Sequence, residues 1–246
     1  MFNSYTNVIS GRVFIDRRAR ISDTRKGSLS NSFGTKPGVG VFAGVISGGM
    51  LDISGPKDAD YPNPQMVFTA ANTYTGGTFV AFHTVVLRGE GTLGTGLVEL
   101  HNKPVLRFEN TADKVFPNDI RGNGTVILAG SGDVSFTGRV TDNDEEDYIS
   151  VDLADTAPVL KHLPPFHRIF NSSGKKTTLT LTADSTVDPA QLLELETVNL
   201  VLDGATLDLS GRTIDVRRLT CQNGGKVVNG TVNELNPAKG LLLIVR

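Results

Sequence analysis

The groups in this sequence best suited to chemistry are three aspartates, Asp203, Asp208 and Asp215, and the acidic run Asp142-Asn143-Asp144-Glu145-Glu146-Asp147. Carboxylates gathered on one face, with an Arg or Lys beside them, could carry hydrolysis or lyase chemistry on a sugar polymer. Asp203 and Asp208 lie five residues apart and Asp215 follows after a short interval. Nothing in that spacing forces them together, so corner and strand-exterior roles are the expectation. The acidic run lacks the glycine at the sixth position and the later bidentate glutamate of an EF-hand loop, so no calcium site is expected there. The histidines His83, His101, His162 and His167 form no H-x-x-x-H pair, and the last two flank the rigid turn Leu163-Pro164-Pro165-Phe166. No Gly-x-Ser-x-Gly elbow, phosphate loop or dinucleotide fingerprint stands at a strand-helix junction. The expectation is of no catalytic residue, no cofactor and no metal ligand, hence of a non-enzymatic chain.

The elements that would position such groups are short strands. Hydrophobic residues make up 39% of the chain, enough for a core, and 27 glycines and 11 prolines require frequent turns. Helix-forming residues are not concentrated in any long periodic window, so the chain reads as all-β. A net charge of -2 offers no general attraction to nucleic acid or an anionic membrane. That charge is unevenly spread. Arg12, Arg17, Arg18, Arg20, Arg25, Lys26 and Lys36 face only Asp16 and Asp23 early in the chain, and the acidic run lies in the middle. The lone Cys221 excludes an internal disulfide, and its alternation with Leu219 predicts a buried, inert thiol. No apolar run reaches the length of a membrane-spanning helix. The opening residues, Met1 to Thr6, lack the basic and apolar regions of a secretory signal, so the chain is expected to be cytosolic or part of something longer.

One stretch organises the rest. Asn72-Thr73-Tyr74-Thr75-Gly76-Gly77-Thr78-Phe79-Val80 is a Gly-Gly turn entering a β-branched and aromatic strand. It is followed by Gly91-Thr92-Leu93-Gly94-Thr95-Gly96-Leu97-Val98-Glu99-Leu100, a Gly-spaced turn and a second alternating strand. These residues resemble the autotransporter-associated β-strand repeat of bacterial passenger proteins, with Thr92 where that family often has Ser and with Phe79 and Ala81 in place of small polar residues. A second passage, Asn118-Asp119-Ile120-Arg121-Gly122-Asn123-Gly124 through Thr137-Gly138, is similar to the same repeat until Arg139-Val140-Thr141 interrupts it. The resemblance implies a passenger-type stalk, extracellular or at the cell surface, binding surfaces or neighbours through many weak sites.

Strand, Gly-containing turn and strand recur at roughly 20 to 25 residues, the pattern of a solenoid. We therefore expect one domain over 1–246, a right-handed parallel β-helix of about ten coils with loop insertions; the alternative is a β-sandwich, since Asp-Gly turns also serve hairpins. Within it, 1–38 reads as an irregular or capping segment, 39–140 as repeat-like coils, 141–176 as an insertion or irregular coils and 177–246 as C-terminal coils. Val39, Val41, Ala43 and Val45 are expected to form one apolar face, Lys57 to Gln65 a loop, Asp188 to Leu195 a helical turn or two, and Val198 to Gly211 two strands paired around Asp203-Gly204. The expected function is structural or adhesive, with copies of the chain as partners through open ends, end to end in a filament, or with surface glycans or a host surface. The alternative is a carbohydrate-active or carbohydrate-binding β-helix of the lyase or tailspike type. Exposed sugar-stacking aromatics look sparse, for there is no Trp and only Tyr5, Tyr61, Tyr74 and Tyr148.

Overall fold

The protein was described from a computed structural model, which covers residues 6–21, 39–54, 64–142, 148–154, 156–160, 166–173, 177–181 and 198–235. The chain begins with four two-strand coils: β1 (Thr6–Ile9) and β2 (Val13–Ile21), β3 (Val39–Phe42) and β4 (Ile46–Ser54), β5 (Gln65–Phe68) and β6 (Thr78–Ala81), β7 (Thr84–Arg88) and β8 (Val98–His101). Two coils of three strands follow, β9 (Val105–Glu109), β10 (Lys114–Phe116) and β11 (Ile120–Gly122), then β12 (Gly124–Leu128), β13 (Val134–Phe136) and β14 (Val140–Asp142). The last four coils are β15 (Ile149–Asp152) with β16 (Val159–Leu160), β17 (Arg168–Phe170) with β18 (Thr177–Leu181), β19 (Asn199–Asp203) with β20 (Ala205–Asp208) and β21 (Thr213–Val216), and β22 (Arg218–Gln222) with β23 (Lys226–Val228) and β24 (Thr231–Glu234).

Each coil contributes one strand to a ten-stranded sheet, β1-β3-β5-β7-β9-β12-β15-β17-β19-β22. A second, six-stranded sheet is ordered β14-β11-β8-β6-β4-β2, and shorter sheets β10-β13, β16-β18-β20-β23 and β21-β24 complete the coils. All the pairings are parallel and join strands of successive coils, as in Leu51 to Thr78 to Val98. Among the described residues there are no hairpins, which excludes the β-sandwich and makes the molecule a parallel β-solenoid. In the middle of the stack Gln65 pairs with Thr84, Thr84 with Val105 and Val105 with Thr125, so the coils are 19, 21 and 20 residues long. Thr6 to Val39 and Arg168 to Val201 are longer steps of 33 residues each.

Period-two alternation in stacked strands makes columns of side chains. One interior column runs Met66, Val85, Leu106, Val126, Val151, Ile169, Leu202, and another runs Phe42, Phe68, Leu87, Phe108, Leu128. All are buried, and the column Leu51, Thr78, Val98, Ile120, Val140 closes the core from the second sheet. Phe108, Phe116 and Phe136 meet edge to face at centroid distances of 5.2 to 5.8 Å, the preferred aromatic geometry, where the third strand enters the coil.

The columns correct several expectations. Phe42 points inward and Val39 and Val41 outward, because the large ring takes the interior column; Ala43 is exposed. Val198 to Gly211 holds two strands that do not pair with each other. β19 and β20 lie in different sheets, so Asp203-Gly204 is a corner, not a hairpin turn. Residues 6–21 form β1 and β2, each paired with the coil that follows, and β15, β16 and β17 are stacked strands within 141–176. Cys221 occupies the interior column after Leu202, yet it is exposed because β22 is the end strand of its sheet. Strand β5 starts at Gln65; the loop before it, the acidic run beyond Asp142 and the helical turn at Asp188 to Leu195 lie outside the described residues.

Candidate functional site: the coil-to-coil polar ladder

The polar side chains that could do chemistry are gathered at the corners, and there they bond coil to coil. Asn72, buried in the organising stretch, is the clearest case. Its Oδ1 accepts the Ile46 N–H of the coil before at 2.8 Å, and its Nδ2 donates to the Thr92 carbonyl of the coil after at 2.6 Å. The Asn72 N–H also donates to Thr92 Oγ1 at 2.9 Å. One side chain therefore ties three successive coils. Asn118 Nδ2 donates to the carbonyls of Gly94 and Gly96 at 2.7 and 2.8 Å, and Asn123 Oδ1 accepts the Lys103 N–H at 3.0 Å. Asn110 Nδ2 donates to the carbonyls of Ala112 and Asp133. Corner backbone cannot join a sheet ladder, so these amides replace the missing partners.

The organising stretch itself is mostly a joint between the two large sheets. Its backbone stacks directly on the first residues of β4, through Thr73 N–H to Ile46 O and Thr75 N–H to Gly48 O. Tyr74 is fully buried and its hydroxyl lies 2.7 Å from Thr78 Oγ1. Burial pushes the phenol's pKa above its ordinary value, partly opposed by the hydrogen bonds from Thr78 and the Gly94 backbone. Gly94 is there because a Cβ would lie 2.0 Å from the Tyr74 carbonyl oxygen.

The three aspartates are not brought to one site. Asp203 binds Arg168 of the coil before and accepts from Asn223 Nδ2 of the coil after at 2.6 Å; Arg168 also lies 4.5 Å over the Phe170 ring. The hydrogen bonds from Arg168 and Asn223 hold the Asp203 carboxyl below its ordinary pKa. Asp208 accepts from Asn229 at 2.9 Å and Asp215 from Asn233 at 2.8 Å. Each is one rung of the same device, an aspartate met by an asparagine one coil later. Cys221 stands nearby with its thiol pKa raised, by burial first and by Glu234 second.

On the outer side of the six-stranded sheet, Arg20, Asp52, Phe79, Glu99, Arg121 and Thr141 share one register line. Asp52 is only 5% exposed because Arg18 reaches it at 2.6 Å and Ser54 Oγ donates to it at 2.5 Å. Phe79 stacks on His101 at 4.8 Å with planes 23° apart, so the two rings turn faces to each other. His83 is buried with Nδ1 at 2.7 Å from the Ala81 carbonyl, and His167 stacks on Tyr148; His162 lies outside the described residues. On the ten-stranded sheet, Glu109 bridges Arg88 and Arg107 at 2.8 and 2.7 Å. Burial alone would raise its pKa, but the two arginines outweigh it and the net shift is downward. Lys114 Nζ crosses a coil to the carbonyls of Gly89 and Gly91, and its ammonium pKa is lowered by burial.

Among the described residues no group of three His, Cys, Asp or Glu side chains is placed to hold a metal ion. Asparagines 72, 110, 118 and 123, and Asp152, whose Oδ1 accepts the N–H groups of Ala154 and Ser172, were missed by sequence reasoning. Among them only Asn123, between Gly122 and Gly124, stands beside glycine, so the sequence marked that corner and not the others. Compared with known proteins, no family model matches the sequence, and no curated protein and no solved structure matches the chain.

Proposed function

We propose that this chain is a non-enzymatic structural or adhesive β-solenoid of a bacterial surface or secreted protein. In this reading it is a short stiff rod whose outer faces and side loops make weak contacts with surface glycans or a host surface. The observation that carries the proposal is the fate of the carboxylates: Asp203, Asp208 and Asp215 are each spent on a neighbouring coil instead of converging on a shared space. The resemblance of residues 72–100 to the passenger repeat supports the location.

The outermost described strands carry features that discourage the addition of another strand. Edge strands invite another strand, and charge or a bulge on them discourages it. Strand β2 carries four nearby arginines and a register shift between Ile15 and Arg18. In β22, the last described strand of the ten-stranded sheet, Arg218 N–H turns back to Val198 O and the next N–H, that of Leu219, is accepted by the Glu234 carboxylate at 2.9 Å. The sugar-processing alternative would need open aromatic faces, and the Phe79–His101 stack closes two of them.

The test is negative-stain electron microscopy with a polysaccharide panel scored for reducing-end release. Discrete rods about 45 to 50 Å long, ten coils at the strand spacing, and no turnover are expected. Turnover abolished by Asp203→Asn or Asp208→Asn would overturn the proposal.

A further inference from the structure

Three asparagines of the chain are followed by glycine: Asn123, Asn223 and Asn229. An asparagine before glycine is chemically labile, because the next residue has no side chain to keep its peptide nitrogen from the asparagine's own amide carbon. The nitrogen attacks Cγ, a new C–N bond forms, and the side-chain amide leaves as ammonia, taking the peptide proton with it. Water then opens the five-membered imide at either carbonyl and gives aspartate or isoaspartate. Each product carries a new carboxylate. The reaction needs open space and a backbone that can leave its folded conformation.

The three sites differ in both respects. Asn123 is buried; its Oδ1 accepts the Lys103 N–H, its own N–H donates to Leu100 O, and Gly124 is paired with Ile149 in β12. Asn223 and Asn229 are exposed and share a φ of 51°, left-handed backbone that an L residue holds under strain. The glycines that follow them separate the two. Gly230 is packed, since a Cβ there would lie 2.4 Å from Leu209 Cβ and 2.5 Å from the Arg212 carbonyl oxygen. Gly224 is exposed, and a Cβ there would meet nothing within 4 Å. The Asn223 amide is held by Asp203 Oδ1, which accepts its Nδ2 at 2.6 Å.

We propose that Asn223 is a deamidation site at which water converts a coil-to-coil rung into a pair of like charges. Asp203, with Arg168 on its Oδ2, loses the donor on its Oδ1 and faces a carboxylate instead. Isoaspartate also adds one backbone carbon between Gln222 and Gly224. The corner has no room to lengthen, for a Cβ on Gly225 would lie 2.1 Å from the Leu202 carbonyl oxygen. Either product loosens β22 from β19, the strands this rung joins. The inference concerns that interface alone and does not rest on the adhesive reading.

The experiment is incubation of the full chain at mildly alkaline pH, folded and in urea, followed by tryptic peptide mapping with mass spectrometry. Cleavage after Arg121, Arg218 and Lys226 puts the three asparagines on separate peptides. In urea the three should convert at similar rates, whereas in the folded chain Asn223 should convert about tenfold faster than either of the others. Asp203→Ala, which frees the Asn223 amide, should speed Asn223 several-fold and leave Asn123 unchanged. Should that variant fail to fold by circular dichroism, Asn223→Asp serves, and its β22 amides should exchange hydrogen about tenfold faster than in the original chain. Equal conversion of the three in the folded chain, faster conversion of Asn123 or Asn229, or no conversion of Asn223 overturns the proposal. An Asn223→Asp chain whose β22 exchange matches the original also overturns it, since the rung would then hold nothing.

Discussion

Asn72 concentrates the logic of the molecule in one side chain, because it has a partner in the coil on either side. Replacing it with alanine leaves the Ile46 N–H and the Thr92 carbonyl without their partner in a buried corner. Asn72→Ala should therefore cost about 2–4 kcal/mol, read from the midpoint of urea unfolding. A loss under about 0.5 kcal/mol would show that water replaces the amide freely. Tyr74 gives a second test. Its phenol is raised in the folded state, so the stability it lends is complete below the unfolded value of about 10 and is lost as pH rises through the folded one. Alkaline unfolding should then coincide with ionisation of the buried phenol in ultraviolet absorbance. In Tyr74→Phe, which also loses the Thr78 hydrogen bond, alkaline destabilisation should be smaller, at a cost of about 1 kcal/mol near neutrality.

At the scale of the element, corners are more demanding than strands. Gly94→Ala would drive a Cβ to 2.0 Å from the Tyr74 carbonyl, against backbone that is itself bonded to Thr95, and should cost about 3 kcal/mol. Gly89 has open space around it and only a positive φ of 56°, so Gly89→Ala should cost about 1–2 kcal/mol. Thermal denaturation of the two variants compares steric contact with backbone strain directly. The strands were legible in the sequence where alternation was strict, as in Val98, Glu99 and Leu100, because period two maps straight onto in and out. Val39 to Val45 misled because β-branched residues fill either face of a solenoid, and only the stack shows that Phe42 claims the interior. Corners were legible as glycines but not as bonds: the partners of Asn72 lie 26 and 20 residues away, and Arg18 meets Asp52 across 34. Those distances depend on coil length, which varies along the chain. The Asp203 rung titrates with its element. Arg168 and Asn223 lower the Asp203 carboxyl, so its contribution is complete above the unfolded value of about 3.9 and is lost as pH falls through the folded one. Hydrogen exchange at acid pH should show β19 and β22 opening before β3 and β5, which carry no carboxylate.

The whole molecule is close to one-dimensional, since each coil touches only its neighbours, and stability should be a sum over coils and their interfaces. That property makes a whole coil removable. The Val105 N–H bonds to the His83 carbonyl in the coil below, just as the Thr84 N–H bonds to that of Pro64. Excising residues 84–104 would join His83 to Val105 and let Val105 take the place of Thr84, its N–H meeting Pro64 and its strand pairing with β5. The interior columns would continue without a gap, with Leu106 over Met66 and Phe108 over Phe68. What is lost can be named: Asn72 gives up Thr92, Lys114 the carbonyls of Gly89 and Gly91, Asn118 those of Gly94 and Gly96, Asn123 the Lys103 N–H, Glu109 its Arg88 partner and Phe79 its stack on His101. The excised chain should fold cooperatively with lower stability, and X-ray scattering should give a rod shorter by about 5 Å. Loss of structure along the whole chain would mean that stability is not divided by coil, and that the region around Asn72 is a nucleus the other coils cannot do without. Retention of fold with loss confined to one interface would make the coil the unit in which this rod is lengthened or shortened.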